Sequence, residues 1–345
     1  MKYFSTFILM GVLSFGESNF VSTQYTSLKH KDKPVNDFVS VYLNLEDTYT
    51  FKEGDIDIRL GLNALGVLKK SADFDLFHSI QKNRALIHSL SIDYYPSPDT
   101  LLSLGRQSLD INLLRGSFDG LLAVGYWDDL SVKAFYFKRY SILYPSYYKN
   151  VKLDKLYGVN VNYDKGIFES EVSLFAYYDH KVENIYMGLH PQNFTLGLEH
   201  LGFYSSALAD EKALKAHIGY KYKNLYAEVG YYNVYEGSLR NIYALGATEF
   251  KTFRLHGFLD QDKAQNVYID LQYAQENFYA KLHVGTTSFK DTQGKDRRGK
   301  ELGITLSKVY EQVEFSLSYL TQKSNQVSRD NKRTTWLQTQ IKYRF

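Results

Sequence analysis

The chain has 345 residues, no cysteine, and 41 basic against 38 acidic side chains, which gives a formal net charge of +3. This balance provides no electrostatic footprint for nucleic acid, so we expect no nucleic-acid partner. The chain contains 31 tyrosines and 22 phenylalanines, an aromatic content that is unusual for a soluble enzyme. No segment supplies the about 18 consecutive apolar residues of a membrane-spanning helix, which excludes a helical membrane protein.

The first residues of the chain predict a cleaved signal peptide. Lys2 forms a short basic N-terminal region, and residues 3–13 form the apolar region that follows it. Ser14 and Gly16 are small residues on either side of Phe15, as at a signal-peptide cleavage site. We therefore predict a signal peptide over residues 1–16 and one mature domain over residues 17–345.

From about residue 20 onward, apolar and polar residues alternate in a series of short segments. Clear examples are residues 157–163, 214–222, 225–231, 267–273, 278–284 and 313–319. Period two places the two sets on opposite faces of a strand. A membrane barrel around a water-filled lumen needs one dry and one wet face in every strand. A soluble sheet is the alternative, but it does not explain why the dry faces often end in Tyr or Phe, as aromatic girdles do.

The last stretch, residues 336–345, shows the same alternation and ends on Phe345. Outer-membrane β-barrels usually end on Phe, and this terminus resembles theirs. We therefore expect the barrel-assembly machinery to be a partner through Phe345. The buried last strand of a soluble β-sandwich is the alternative interpretation.

The predicted connections alternate between short and long, as periplasmic turns and external loops do in bacterial barrels. Short turns are expected near residues 96–98, 127–129, 164–166, 191–193, 223–224, 249–251, 275–277 and 310–312. Longer connections are expected near residues 64–82, 108–118, 139–155, 202–212, 288–300 and 321–332. Four further links are short but are expected on the side of the long external loops, near residues 29–36, 179–182, 235–239 and 261–264. The fold class is thus all-β, a transmembrane antiparallel up-and-down β-barrel of roughly 18–20 strands with both termini in the periplasm. A barrel of this size encloses an aqueous pore.

Residues 101–120 break the plain repeat. Gly105, Arg106 and Gln107 end one predicted strand, and the following stretch contains Arg115 and ends in Phe118-Asp119-Gly120. Here the chain resembles the OprD-type porins, including those of Campylobacter-like bacteria, which have a Gly-Arg-Gln-like strand end and an Arg-containing loop ending in Phe-x-Gly. The stretch lacks the prolines that are usual in that loop.

The resemblance implies that a loop over residues 108–118 folds into the pore and narrows it. The predicted pore-constriction residues are Arg106, Asp110, Asn112, Arg115 and Asp119. The alternative is that Arg106 and Arg115 form structural ion pairs with Asp110 or Asp119 at the barrel rim, since exposed ion pairs are common.

The wet faces also predict the lumen wall. The predicted lumen-lining residues are Arg59, Lys133, Glu169, Glu171, Lys215, Lys221, Glu228, Arg254, Lys281 and Lys342. Their signs often change from strand to strand, and mixed walls predict weak ion selectivity. For each single charge, a merely solvated wall position is the alternative to a binding role.

The sequence contains no recognisable catalytic or metal-binding motif. The nine histidines are scattered, and no His-Glu-x-x-His, Gly-x-Ser-x-Gly or phosphate-loop pattern occurs. We therefore expect neither an enzyme nor a cofactor. The predicted function is an outer-membrane porin of a Gram-negative cell for passive diffusion of small hydrophilic solutes and ions, in contact with the lipid bilayer and lipopolysaccharide. The alternatives are a structural or adhesive surface barrel and a barrel enzyme.

Overall fold

The computed structural model of the chain describes residues 19–30, 36–51, 54–70, 83–111, 114–144, 147–239, 262–291, 293–324 and 333–345. The predicted signal peptide lies outside the described residues. Among the described residues, no helix is long and apolar enough to cross a membrane.

Eighteen antiparallel strands form one closed sheet in the described part of the chain. Each strand pairs with its neighbours in sequence, and β1 pairs with both β2 and β18, which closes the cylinder. The strands are β1 (Phe20–His30), β2 (Asn36–Phe51), β3 (Ile56–Lys70), β4 (Arg84–Ser97), β5 (Thr100–Ile111), β6 (Leu114–Trp127), β7 (Leu130–Tyr144), β8 (Tyr147–Lys165), β9 (Phe168–Tyr177), β10 (His180–Leu189), β11 (Phe194–Ser205), β12 (Glu211–Tyr222), β13 (Leu225–Glu236), β14 (Asp262–Gln275), β15 (Phe278–Lys290), β16 (Asp296–Tyr310), β17 (Val313–Ser324) and β18 (Arg333–Arg344). The predicted up-and-down barrel is confirmed.

The described residues form eighteen strands, which lies within the predicted range of 18–20. β13 pairs directly with β14, for example Val229 with Ile269. The turn predicted near residues 249–251 and the predicted lumen residue Arg254 lie outside the described residues. The link predicted near residues 261–264 is wrong, because β14 already begins at Asp262.

The two ends of the barrel differ in their connections. The chain termini and short turns such as Lys223–Asn224 lie at one end, which we call the turn end, and the remaining connections lie at the opposite, loop end. Strands at the loop end run further than predicted: β3 continues to Lys70, and β7 and β8 are separated only by residues 145–146. The long connections predicted at 64–82 and 139–155 are therefore partly strand. No strand was predicted there, because the residues of these connections lack a regular alternation of apolar and polar side chains.

The two faces of the closed sheet have opposite character. Large apolar side chains are exposed on the outer face, for example Leu104, Leu121, Ile218, Val229, Ile269 and Phe315. The alternate positions point inward and include buried polar residues such as Ser91, Asp93, Asn160, Ser173, Asp270 and Thr305. Exposed aromatic residues cluster at the turn end, among them Trp127, Tyr222, Tyr310, Tyr343 and Phe345. This distribution matches a lipid-facing surface with an aromatic girdle.

Candidate functional site

The inner wall of the barrel carries charges that are paired with one another. Arg59 Nε lies 2.7 Å from Asp93 Oδ2, and Arg344 Nη2 lies 2.6 Å from Glu314 Oε2. Because each of these cations has a carboxylate beside it, the wall presents local dipoles and not a surface of one sign.

A buried polar network joins β14, β15 and β16. Asp270 contacts the Lys281 ammonium at 2.5 Å and His283 Nδ1 at 2.5 Å, and His283 Nε2 lies 3.3 Å from Glu301 Oε1. Asn266 Nδ2 donates to the same Glu301 oxygen at 3.0 Å. Buried polar groups are costly unless they are hydrogen-bonded, and here each carboxylate has at least two partners. Sequence reasoning found Lys281 but missed Glu301, which becomes buried only because β15 and β16 pair.

The structure places the described lumen-lining candidates on the inner face, alternating with exposed apolar residues. They are Arg59, Lys133, Glu169, Glu171, Lys215, Lys221, Glu228, Lys281 and Lys342. Two of the lysines also lie over inward aromatic rings. Lys215 Nζ is 5.6 Å from the Tyr232 centroid, and Lys342 Nζ is 4.3 Å from the Phe20 centroid. The inner wall therefore combines charges with aromatic surface, which the alternation of polar residues did not predict.

The β5–β6 hairpin separates from β4 at Gly105. Pairing between β4 and β5 ends at Leu90 and Arg106, although β4 continues to pair with β3 as far as Arg84. Gly105 has φ +123°, and a Cβ built on it would lie 2.3 Å from the Leu90 carbonyl oxygen. Only glycine accommodates both this conformation and this close approach.

Beyond Gly105 the hairpin lies on the lumen side of the wall. Leu109, Ile111, Leu114 and Phe118 are at most 5% exposed, and they belong to a buried cluster with inward-facing residues such as Phe175. β7 also approaches β3 and β4 directly, although β5 and β6 stand between them in the sheet order. The hairpin has thus left the cylinder wall, and its apolar face is buried inside.

The stretch 108–118 is therefore not the loop that was predicted. β5 continues to Ile111 and β6 begins at Leu114, so only residues 112–113 separate the strands. The stretch alternates apolar and polar residues, and we interpreted the polar ones as loop residues. The alternation instead reflects a hairpin with one buried face.

Two of the predicted constriction residues meet at the root of this hairpin. The Arg106 guanidinium binds the Asp119 carboxylate through Nε and through Nη2, the latter at 2.7 Å, and Nη1 donates to the Ile87 carbonyl oxygen at 2.9 Å. Asp110 and Arg115 are opposite each other in the backbone register, but their side chains and all of Asn112 lie outside the described residues. For Arg106 the structure shows the ion pair that we considered as the alternative.

The remaining motif residues complete the root of the hairpin. Gln107 Nε2 donates to the Gly120 carbonyl oxygen at 3.2 Å, and Gly120 stands opposite Gly105 in register. The Phe118 ring packs 4.9 Å from Phe137 and 5.1 Å from Tyr140, measured between centroids. The motif thus fixes where the hairpin bends and what its root packs against.

No protein-family model and no curated protein sequence matches the chain. Solved structures match it over almost its full length. Pseudomonas aeruginosa OccK9 (OpdG) matches with a TM-score of 0.78 at 11% identity, covering 94% of this chain and 96% of that one. The chain has the fold of the OprD-type porins. Acinetobacter baumannii OccAB1 has this porin fold with a TM-score of 0.77 at 11% identity, covering 94% of this chain and 95% of its own. A structure of P. aeruginosa OpdK with vanillate matches the porin fold with a TM-score of 0.73 at 13% identity, covering 95% and 97%.

Proposed function

We propose that the chain is an outer-membrane channel through which small hydrophilic solutes and ions diffuse passively. The observation that carries this proposal is the closed sheet of eighteen strands with an apolar outer face and a polar, charged inner face. A closed barrel satisfies every backbone group of its spanning strands within the sheet, as the hydrocarbon region requires. Barrels of about 16–18 strands are wide enough to leave an aqueous channel.

The inner wall supports weak ion selectivity. Rings of one charge sign select ions strongly, whereas pairs such as Arg59–Asp93 and Lys281–Asp270 cancel much of each other's field. Solutes in this mechanism cross a wet, mixed-charge wall without chemistry or energy coupling. The neighbouring folds are porins, and we propose no catalytic role for this chain.

The inward β5–β6 hairpin supports a narrowing of the channel near the loop end. Its side chains Leu109, Ile111, Leu114 and Phe118 are buried in a cluster with inward-facing wall residues, so the hairpin occupies part of the lumen. Arg106 and Asp119 hold the root of the hairpin. Contact of a passing ion with Asp110, Asn112 or Arg115 stays a prediction. Since OpdK has been solved with vanillate, an aromatic carboxylate is a suitable probe for an inner wall whose lysines lie over aromatic rings, as Lys215 does over Tyr232.

Planar-bilayer recording of the purified protein tests this function. We expect stepwise conductance, a small reversal potential in a salt gradient, and a reduction of current by vanillate. Absence of conductance in protein that is inserted and heat-resistant would refute the channel and leave a structural or adhesive surface barrel.

A charge reversal in the lumen sharpens the test. Lys221 lies exposed on the inner face, so Lys221→Glu should shift the reversal potential toward cations, most strongly at low salt because added ions screen the charge. Lys300→Glu is the matched control, because Lys300 lies on the outer face of the same barrel. Equal shifts in both variants would mean that the assigned faces do not determine access to the pore.

A further inference from the structure

The outer wall of the barrel is concave between β4 and β11. The concavity has a volume of about 1150 Å³, and most of its lining residues face outward from these strands. Ala123 and Ala134 stand opposite each other across β6 and β7 and form part of its floor, while Leu104, Leu121 and Leu174 rise beside them. We call this surface the outer groove. It results from small side chains placed between large apolar ones.

Three lysines lie on the same outer face toward the loop end. Lys138 on β7, Lys155 on β8 and Lys181 on β10 are all exposed, and Lys181 borders the outer groove. Lys138 Nζ lies 6.0 Å from the Tyr136 ring centroid. Among the side chains that the structure describes, no ion-pair partner is found for any of these three ammonium groups.

Glu183, the acidic residue beside Lys181, already has hydrogen-bond partners on other side chains. The Glu183 carboxylate accepts a hydrogen bond from the Tyr204 hydroxyl and contacts His200 Nε2 at 3.0 Å. Glu183 therefore leaves the neighbouring lysines available to an external anion. The three lysines and the outer groove together present cations directly above an apolar concavity.

We propose that the outer groove binds a lipid with an anionic, phosphate-bearing headgroup, with its acyl chains in the concavity and its phosphate groups on Lys138, Lys155 and Lys181. The groove is larger than the about 300–1,000 Å³ of ordinary small-molecule pockets, and its open side faces hydrocarbon rather than the lumen. Basic residues beside a membrane surface attract anionic headgroups. Tyrosines such as Tyr136 and Tyr157 suit the interface between chain and headgroup.

A second copy of the chain fits this surface less well than a lipid does. A symmetric dimer contact uses the same patch on both subunits, so it would bring the two sets of lysines toward one another. The proposal goes beyond solute diffusion because it concerns the outer wall. It rests on the proposed membrane location and not on conduction.

Native mass spectrometry of the delipidated, folded mature protein in detergent tests the lipid site. The probes are bisphosphorylated lipid A, zwitterionic phosphatidylcholine and inorganic phosphate. We expect retention of lipid A well above phosphatidylcholine, and no retention of phosphate alone. Combined Lys138→Gln, Lys155→Gln and Lys181→Gln substitutions should weaken lipid A binding by about fivefold for each lysine removed.

Lys300 and Lys323 provide a matched control, because they are exposed outer-face lysines opposite each other on β16 and β17 and do not line the outer groove. Lys300→Gln with Lys323→Gln should leave lipid A binding unchanged. Ala134→Trp, which fills the outer groove, should lower retention while all three lysines remain. All of these variants should conduct like the wild type, so loss of lipid binding is separable from failure of the channel.

Three results would overturn the proposal. The first is equal retention of lipid A and phosphatidylcholine by the wild type. The second is equal lipid A affinity in the triple lysine variant and in the Lys300/Lys323 control. The third is an oligomer that Ala134→Trp dissociates while lipid A binding is unchanged, which would assign the groove to a second copy.

Discussion

Replacing Gly105 by Ala tests whether this residue bends the β5–β6 hairpin into the lumen. The added Cβ would lie 2.3 Å from the Leu90 carbonyl oxygen and 3.1 Å from Ser91 Cα, so the backbone must move. Holding an L-residue at φ +123° costs on the order of 1–3 kcal/mol, and each hydrogen bond lost at the root adds about 0.5–1.5 kcal/mol. We therefore expect a loss of about 3 kcal/mol in the free energy of unfolding. The relaxed strand would continue along β4 and withdraw the hairpin from the lumen.

Two measurements check this expectation. Urea unfolding in detergent gives the stability change, and single-channel recording should show a larger conductance because the narrowing is withdrawn. Gly166→Ala is the matched control, since Gly166 has φ +61° in a turn with nothing within 4 Å of an added Cβ. The control should lose only about 1 kcal/mol and keep its conductance. If the two variants lose equal stability and conduct alike, Gly105 is not the residue that bends the β5–β6 hairpin into the lumen.

Three further predictions address the lipid face, assembly and pH. Ile218→Arg should destabilise the inserted barrel by about 2–4 kcal/mol because Ile218 faces outward near mid-strand, whereas His217→Arg on the inner face should be tolerated in the same unfolding assay. Deleting Phe345 should lower the amount of heat-resistant, membrane-inserted protein, and unchanged insertion would remove its role as an assembly signal. Partial desolvation alone would raise the pKa of Asp291, but hydrogen bonds from Arg297 and from loop amides lower it overall. The ionised Asp291 carboxylate should therefore protect the loop between β15 and β16 from proteolysis fully above about pH 4, and this protection should be lost as the pH falls further. Asp291→Asn should remove this pH dependence.

The barrel architecture was predictable because every spanning strand follows the same physical rule. Each spanning strand faces lipid on one side and the lumen on the other, so residues such as Ile218 and Lys215 reveal their faces through period two alone. The short turns followed from the same reasoning, since each one interrupts the alternation. The prediction left eighteen and twenty strands open because residues 240–261 also contain alternating segments. The direct pairing of β13 with β14 agrees with eighteen strands in the described part of the chain.

The inward hairpin was harder to predict because its burial is tertiary. Leu109 and Leu114 alternate with polar residues as a lipid-facing strand does, and their pattern does not say which surface covers them. The resemblance implied charged residues at the narrowing. The structure shows an ion pair of Arg106 with Asp119 at the root of the hairpin and apolar residues on its buried face, while the constriction role of Asp110, Asn112 and Arg115 stays a prediction.

The pairing of β1 with β18 has a consequence for how the chain matures. Phe20 stands opposite Arg344, so the first and last strands of the domain meet across nearly its entire sequence. Until they do, two strand edges with unpaired amides face the membrane, and hydrocarbon offers those amides no hydrogen-bond partner. Contacts of such high sequence separation form slowly. We therefore expect a chain that lacks either terminal strand to be recognised as unfinished and degraded before it enters the bilayer.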